Sequence, residues 1–182
     1  MANQVIIISG PPGAGKTSVA EALIERFDRM LLVEVEQLRD WVKAGHRNPW
    51  DTDRQAAEQL EMAVRNACAI ARETIGMRYA VVIVDVVHPS EAALYRELLA
   101  PLAPESPTHL VTLLPTLEVA LQRDAPRGED SIPERVRAVH TELTAARSDL
   151  PGVVLDSSLD ANARVTADRV QDAVSRGLAV LT

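Results

Sequence analysis

Apolar and polar positions along the chain alternate between two periods. Val5-Ile6-Ile7-Ile8-Ser9 is a short unbroken apolar run, the pattern of a strand buried on both faces. Ala20, Leu23, Ile24 and Phe27 then recur at helical spacing. Leu31–Val35 predicts a second, weaker strand, and Gln37–Ala44 a short helix closed by Gly45. Pro49 interrupts the irregular stretch HRNPWD, and Thr52-x-x-Gln55 reads as a capping box. The helix that follows carries Ala57, Leu60, Val64, Ala67, Ala71 and Ile75 on one face and ends near Gly76. Tyr79–Val84 predicts a central strand that closes on Asp85, and residues 90–100 a helix. Pro101, Pro104 and Pro107 stiffen the connection to a fourth strand, His109–Leu114. A helix over Thr116–Arg123 leads into the polar loop DAPRGED. Ser131-x-x-Glu134 caps the next helix, whose apolar stripe is Ile132, Val136, Val139 and Leu143. Gly152–Leu155 predicts a fifth strand and Ala161–Gly177 a last helix.

Strands alternating with helices predict an α/β fold: a five-stranded parallel sheet with helices on both faces. Ligands of such sheets collect at the carboxyl ends of the strands. Ser9, Glu36, Asp85 and Asp156 all lie at or just past predicted strand ends.

Composition narrows the picture. The chain has 182 residues, 47% hydrophobic and 25% charged, the size and balance of one globular unit. Aromatic residues are only 3%, so Val, Leu, Ile and Ala must build the core. A net charge of −7 argues against a nucleic-acid partner, which would call for a basic face. The lone cysteine, Cys68, excludes an internal disulfide and sits among alanines as core filler. No run approaches the roughly 20 apolar residues of a membrane span. No signal peptide is visible, and a cytoplasmic location is expected.

The strongest chemical signal is Gly10-Pro11-Pro12-Gly13-Ala14-Gly15-Lys16-Thr17, which satisfies G-x-x-x-x-G-K-[ST] between a predicted strand and a predicted helix. Glycines at these positions let backbone N–H groups turn inward around phosphate oxygens. The helix N-terminus adds its partial positive charge. Gly10, Gly13, Ala14, Gly15, Lys16, Thr17 and Ser18 are therefore expected to hold ATP, with Lys16 on the β- and γ-phosphates and the Thr17 hydroxyl on Mg²⁺. Asp85, an acid ending an apolar strand, is expected on the metal side, and an N-cap for the following helix is its structural alternative. The loop at 124–130, between two predicted helices, carries Arg127 and follows directly on Arg123, where a lid would close over the nucleotide, exclude water and bring cations to the transferring phosphoryl.

The segments GPPGAGKT, VEVEQLRDWVKAGHRNPWD, VVIVDVVHP, LQRDAPRGED and VVLDSS run nearly from end to end. Through them the chain resembles the small P-loop metabolite kinases, gluconate-kinase-like and shikimate-kinase-like proteins with chloramphenicol phosphotransferase as a relative. The resemblance implies a three-layer P-loop NTPase fold, one kinase domain over 1–182, a small lid at about 123–131 and a substrate-side segment at about 36–52. It implies an acid after the second strand that meets the acceptor hydroxyl. Glu36 stands at that position where the family usually has Asp, and Glu34 two residues earlier can share the role. A carboxylate there suits a general base. Arg39, Lys43 and Arg47 follow on the acceptor side as candidate ligands of an anionic group, or as solvated charges. Trp41 and Trp50 either wall the acceptor pocket or anchor this segment. Asp156 lies in the loop that the resemblance places against the adenine.

The expected activity is ATP- and Mg²⁺-dependent phosphorylation of a small-molecule hydroxyl on a sugar acid, antibiotic or similar metabolite. Two other readings stay open: a nucleotide-sensing or partner-regulating ATPase without such an acceptor, and a nucleoside or nucleotide kinase. The oligomeric state is not legible in the sequence.

Overall fold

The computed structural model describes residues 3–181, with the side chains of Arg127, Glu129 and Asp130 outside that description. Five strands form one all-parallel sheet: β1 (Val5–Ser9), β2 (Met30–Glu34), β3 (Ala80–Val84), β4 (Thr108–Leu113) and β5 (Val153–Leu155), in the order β2-β3-β1-β4-β5. Among the described residues seven α-helices cover it: α1 (Lys16–Ile24), α2 (Val35–Asp40), α3 (Arg54–Gly76), α4 (Pro89–Leu99), α5 (Leu117–Asp124), α6 (Pro133–Ala145) and α7 (Ala163–Ser175). This is the parallel-sheet α/β fold that the alternation of periods predicts, in the P-loop NTPase form that the resemblance implies.

The central strand shows why an unbroken apolar run is needed. Val5 and Ile7 face one side and pack with Val64, Ala67 and Ala71 of α3 and with Tyr95 and Leu99 of α4. Ile6 and Ile8 face the other and pack with Val19, Ala20 and Leu23 of α1 and with Ala167, Val170 and Val174 of α7. All five residues of β1 and all five of β3 are buried. The edge strands β2 and β5 are only partly covered, which accounts for the weaker pattern of β2. Cys68 is buried, and burial pushes its thiol up to about 12, so it is an unreactive filler.

Several boundaries differ from the sequence pattern. α2 begins at Val35 directly after β2 and stops at Asp40, so Gly45 does not close it. α3 is capped by Asp53, whose carboxylate accepts from the Ala56 N–H at 3.0 Å, and not by Thr52. Its buried face accordingly includes Ala56 rather than Ala57. α4 is capped by His88, with Glu91 returning to the His88 N–H at 3.0 Å. Asp85 is therefore free of the capping role. Ser131 does not cap α6; its hydroxyl donates to Asp124 at 2.8 Å. At α3 and α6 a nearby carboxylate, Asp53 or Asp124, takes a free N–H, and composition does not rank such neighbours.

Among the described residues no helix is long and apolar enough to cross a membrane.

Candidate active site

Residues 10–15 leave the carboxyl end of β1, whose neighbours β3 and β4 lie on opposite sides of it, so the loop opens into the crevice at that switch point. Two glycines are dictated by contact. A Cβ on Gly10 would lie 2.3 Å from the Leu113 carbonyl oxygen, and one on Gly13 would lie 2.1 Å from that of Ala120. The loop thus passes against β4 and α5 with no room for a side chain, and both residues have positive φ. Ala14 is buried beneath the loop, and Gly15 is the N-cap of α1. Lys16 opens that helix and folds back, its ammonium donating to the Gly10 and Pro11 carbonyls at 2.8 and 3.1 Å. It holds the loop in shape and stands where an anion would draw it.

A cavity of about 880 Å³ runs from this loop across the strand ends. Its end at the phosphate-loop motif is lined by Pro12–Val19, by Arg123 and by Asp160–Ala163 with Thr166. Arg123 reaches from α5 to the Ser157 carbonyl at 3.0 Å and approaches the Ala14 carbonyl at 3.5 Å. Its guanidinium therefore bridges the phosphate loop and the loop after β5. Asp156 does not line the cavity. Its carboxylate turns back onto the N–H and hydroxyl of Ser158, which hold its pKa below the usual range. Sequence reasoning overlooked Asp160, which is clasped by Thr166 and Arg169 and so shapes the wall that Asp156 was expected to form.

The centre of the cavity collects the acids. The Thr17 hydroxyl donates to Glu34 Oε1 at 3.0 Å, and Glu34 is also held by the Gln37 amide. Glu36 sits in the first turn of α2, exposed to the cavity and engaged by no side-chain hydrogen bond among the described residues. Asp85 is partly buried; Val86 N–H and the Tyr95 hydroxyl each donate to it at 2.8 Å. Burial raises its carboxyl to about 6, against the lowering pull of those two donors and of the positive Arg39 and Lys16. Ser9, the first of the strand-end residues, is buried and accepts from the Val87 N–H at 2.9 Å, which fastens the segment after Asp85 to β1.

The far end is lined by Arg39, Pro49, Trp50, Leu60, Val64, His88, Glu91, Ile132, Arg135, Val139 and Glu142, a mixed apolar and charged wall. His88 bridges α4 and α6: its ring lies 3.4 Å from Glu91 and 3.1 Å from Glu142. The Glu91 hydrogen bond, ahead of the Glu142 contact, raises the imidazole pKa despite burial. Arg39 Nε is buried without a hydrogen-bond partner, and Arg135 has no carboxylate partner among the described residues. Arg135 was invisible to the sequence reading because its helix face is set only by how α6 packs.

The structure brings Lys16, Thr17, Ser18, Glu34, Glu36, Arg39, Asp85 and Arg123 to one cavity. Lys43 is exposed outside the lining, and Arg47 is spent on Asp53 at 3.0 Å, tying the 41–52 segment to the start of α3. Of the two tryptophans, Trp50 lines the cavity and Trp41 stands away from it. His140 is structural, donating to the Pro115 carbonyl at 2.8 Å. The side chain of Arg127 lies outside the described residues. The base of its loop is closed by Asp124, which is buried and accepts from Ser131 and from the Ile132 N–H at 2.8 Å each.

Comparison with known proteins gives one family match. A family model described as an AAA domain matches residues 5–151. No curated protein matches the chain by sequence. Among solved structures, the tunicamycin resistance protein of Deinococcus radiodurans is 19% identical, with 98% of each chain covered and a TM-score of 0.66. Shikimate kinase from Acinetobacter baumannii, solved with shikimate, is 20% identical, covering 96% of this chain and 94% of its own, with a TM-score of 0.62. The APS kinase of Mycobacterium tuberculosis, solved with AMPPNP and APS, is 20% identical, covering 96% and 98%, with a TM-score of 0.65. These likenesses establish the shared fold.

Proposed function

The chain belongs to the AAA domain family, and from that premise we propose that it is an ATP- and Mg²⁺-dependent kinase that phosphorylates a hydroxyl of a small molecule. The observation that carries this reading is the continuity of one cavity from the phosphate loop, past Glu34, Glu36 and Asp85, to a separate end walled by Arg39, Trp50 and Arg135. A hydrolytic motor has no use for that second end.

The loop amides and Lys16 hold the triphosphate, and Arg123 covers the nucleotide side. Thr17, Glu34 and Asp85 are hard oxygen donors of the type Mg²⁺ takes. Among the described residues no group of three or more His, Cys, Asp or Glu side chains could hold a metal by itself, which suits a cation carried in mainly by phosphates. Bound there, the cation neutralises charge on the β- and γ-phosphates. Glu36 accepts the proton of the acceptor hydroxyl. The hydroxyl oxygen bonds to the γ-phosphorus as the bond to the β–γ bridging oxygen breaks, and ADP leaves with that electron pair. Arg127, on the loop after α5, is proposed to meet the developing charge when the loop closes. Catalysis of this kind is positioning and electrostatics rather than covalent chemistry. Arg39, whose buried Nε has no hydrogen-bond partner, and Arg135, with no carboxylate partner among the described residues, favour an acceptor with an anionic substituent such as a sugar acid. Two solved structures of this fold are of kinases, one in complex with shikimate and one with AMPPNP and APS, which supports the same reading.

Mass spectrometry of reactions containing MgATP and a panel of sugar acids, nucleosides and aminoglycoside-, nucleoside- and chloramphenicol-type antibiotics tests the proposal. A phosphorylated product whose formation is lost in Glu36→Gln supports it. ATP hydrolysis that ignores every acceptor and survives Glu36→Gln points instead to a nucleotide-sensing ATPase.

A further inference from the structure

Among the described residues Tyr95 is the one aromatic side chain buried to 0% exposure, in a chain with two tyrosines. It lies on α4 among Cys68, Ala92 and Leu99, in the core beneath the sheet. Phenylalanine would fill that volume equally, so the hydroxyl needs its own reason. It has a specific one: it donates to Asp85 Oδ2 at 2.8 Å. The other oxygen, Oδ1, accepts from the Val86 N–H at 2.8 Å. Both oxygens of one carboxylate are thus gripped from different directions, one by the adjoining backbone and one by a helix whose start is fixed by Pro89 and the His88–Glu91 box. Such a grip sets the plane of the carboxylate, while each oxygen keeps a further lone pair to offer to the cavity that Asp85 lines.

From this geometry we infer that Tyr95 is a positioning residue: its buried hydroxyl orients Asp85 for the cation that accompanies the nucleotide. The inference rests on the metal-side role of Asp85 proposed above. Groups that orient metal ligands in this way are generally worth tenfold or more in metal affinity.

The test reads metal binding rather than turnover. Mn²⁺ replaces Mg²⁺, its binding to the protein–ADP complex is followed by electron paramagnetic resonance, and ADP affinity in EDTA and thermal unfolding are measured alongside. Tyr95→Phe is expected to weaken Mn²⁺ binding about 10-fold with metal-free ADP affinity unchanged. In an Asp85→Asn background the same substitution is expected to add nothing. Unchanged Mn²⁺ affinity in Tyr95→Phe, with Asp85→Asn weakening it, overturns this inference alone. Unchanged affinity in Asp85→Asn overturns the metal-side role of Asp85 and this inference with it. An equal loss from Tyr95→Phe in both backgrounds shows that the ring acts through packing and also overturns it. Should Tyr95→Phe unfold, the wild-type chain labelled with 3-fluorotyrosine serves. Addition of Mg²⁺ to the ADP complex should shift the Tyr95 fluorine resonance and leave that of Tyr79, at the opposite end of β3, in place. An unmoved Tyr95 resonance refutes the proposal.

Discussion

The Thr17 hydroxyl donates to Glu34 Oε1 at 3.0 Å, joining the first turn of α1 to the carboxyl end of β2. The bond spans two sheet positions, because β3 lies between β1 and β2. It assigns the two acids of the VEVEQ segment different surroundings. Glu34 is committed to the phosphate loop, and Glu36, two residues on, faces the cavity.

Glu34→Ala is accordingly expected to raise the Mg²⁺ concentration for half-maximal ATP turnover by about 10-fold or more. Metal-free nucleotide affinity should stay near wild type. A magnesium titration of turnover, paired with calorimetric ADP binding in EDTA, checks both halves.

Glu36→Gln keeps shape and removes the proposed base. Acceptor-stimulated turnover is expected to fall by about 100-fold or more, with little change in nucleotide affinity. Steady-state kinetics with the acceptor found by mass spectrometry measures the split, and a change confined to nucleotide KM contradicts the base assignment.

Lys16→Ala removes the one ammonium of the phosphate loop. Turnover should drop at least about 100-fold, the scale of losing one preorganised charge donor. Near-normal turnover would remove the basis for assigning this loop to ATP.

Asp85 titrates where activity can report it. Its carboxyl, raised by burial to about 6, is charged only above that pH in the free protein. Turnover at limiting Mg²⁺ should therefore rise with pH through about 6. Stability runs the other way. The folded state holds this proton more tightly than the ordinary value of 3.8, so the contribution is full below 3.8 and lost as pH rises through about 6. The Tm of the wild-type protein relative to Asp85→Asn should be more favourable at pH 5 than at pH 7.5.

His109 gives the opposite slope. It is buried on β4 with both ring nitrogens unpartnered, and burial lowers its pKa. The unfolded chain then binds the proton more readily, so this contribution is full above the ordinary histidine range and lost as pH falls below about 6.5. His109→Leu should flatten the fall in Tm between pH 7 and pH 5; an unchanged slope would remove His109 as its source.

The pattern of periods made the central strands readable because burial on both faces leaves no polar position to confuse them. β1 and β3 are the cases in point. Helix starts were harder. Thr52 and Asp53 are adjacent and both suited to capping, and only the chain's exit angle from the 41–52 segment puts Asp53 on the Ala56 N–H. The phosphate loop was legible as a contiguous motif, and two of its glycines, Gly10 and Gly13, answer to backbone contacts that admit no Cβ. Asp156 was an adenine-side candidate only through the resemblance, and Arg47 a candidate only with a solvated charge as its alternative. Each turned out to have a nearer partner, Ser158 and Asp53, and a short-range partner is decided by rotamer and turn geometry.

The sequence by itself determined the α/β order, the strand buried at the centre, the phosphate loop with Lys16 and Thr17, and the acids at the ends of β2 and β3. These follow from local periodicity and from a contiguous motif, both of which are written along the chain. Only the tertiary structure decided that Glu34 belongs to Thr17, that Tyr95 grips Asp85, that His88 joins Glu142, and that Arg135 shares a cavity with Arg39. Those pairings depend on how far each helix rotates as it packs on the sheet. That rotation is set by the fit of the whole core, to which no single segment holds the key.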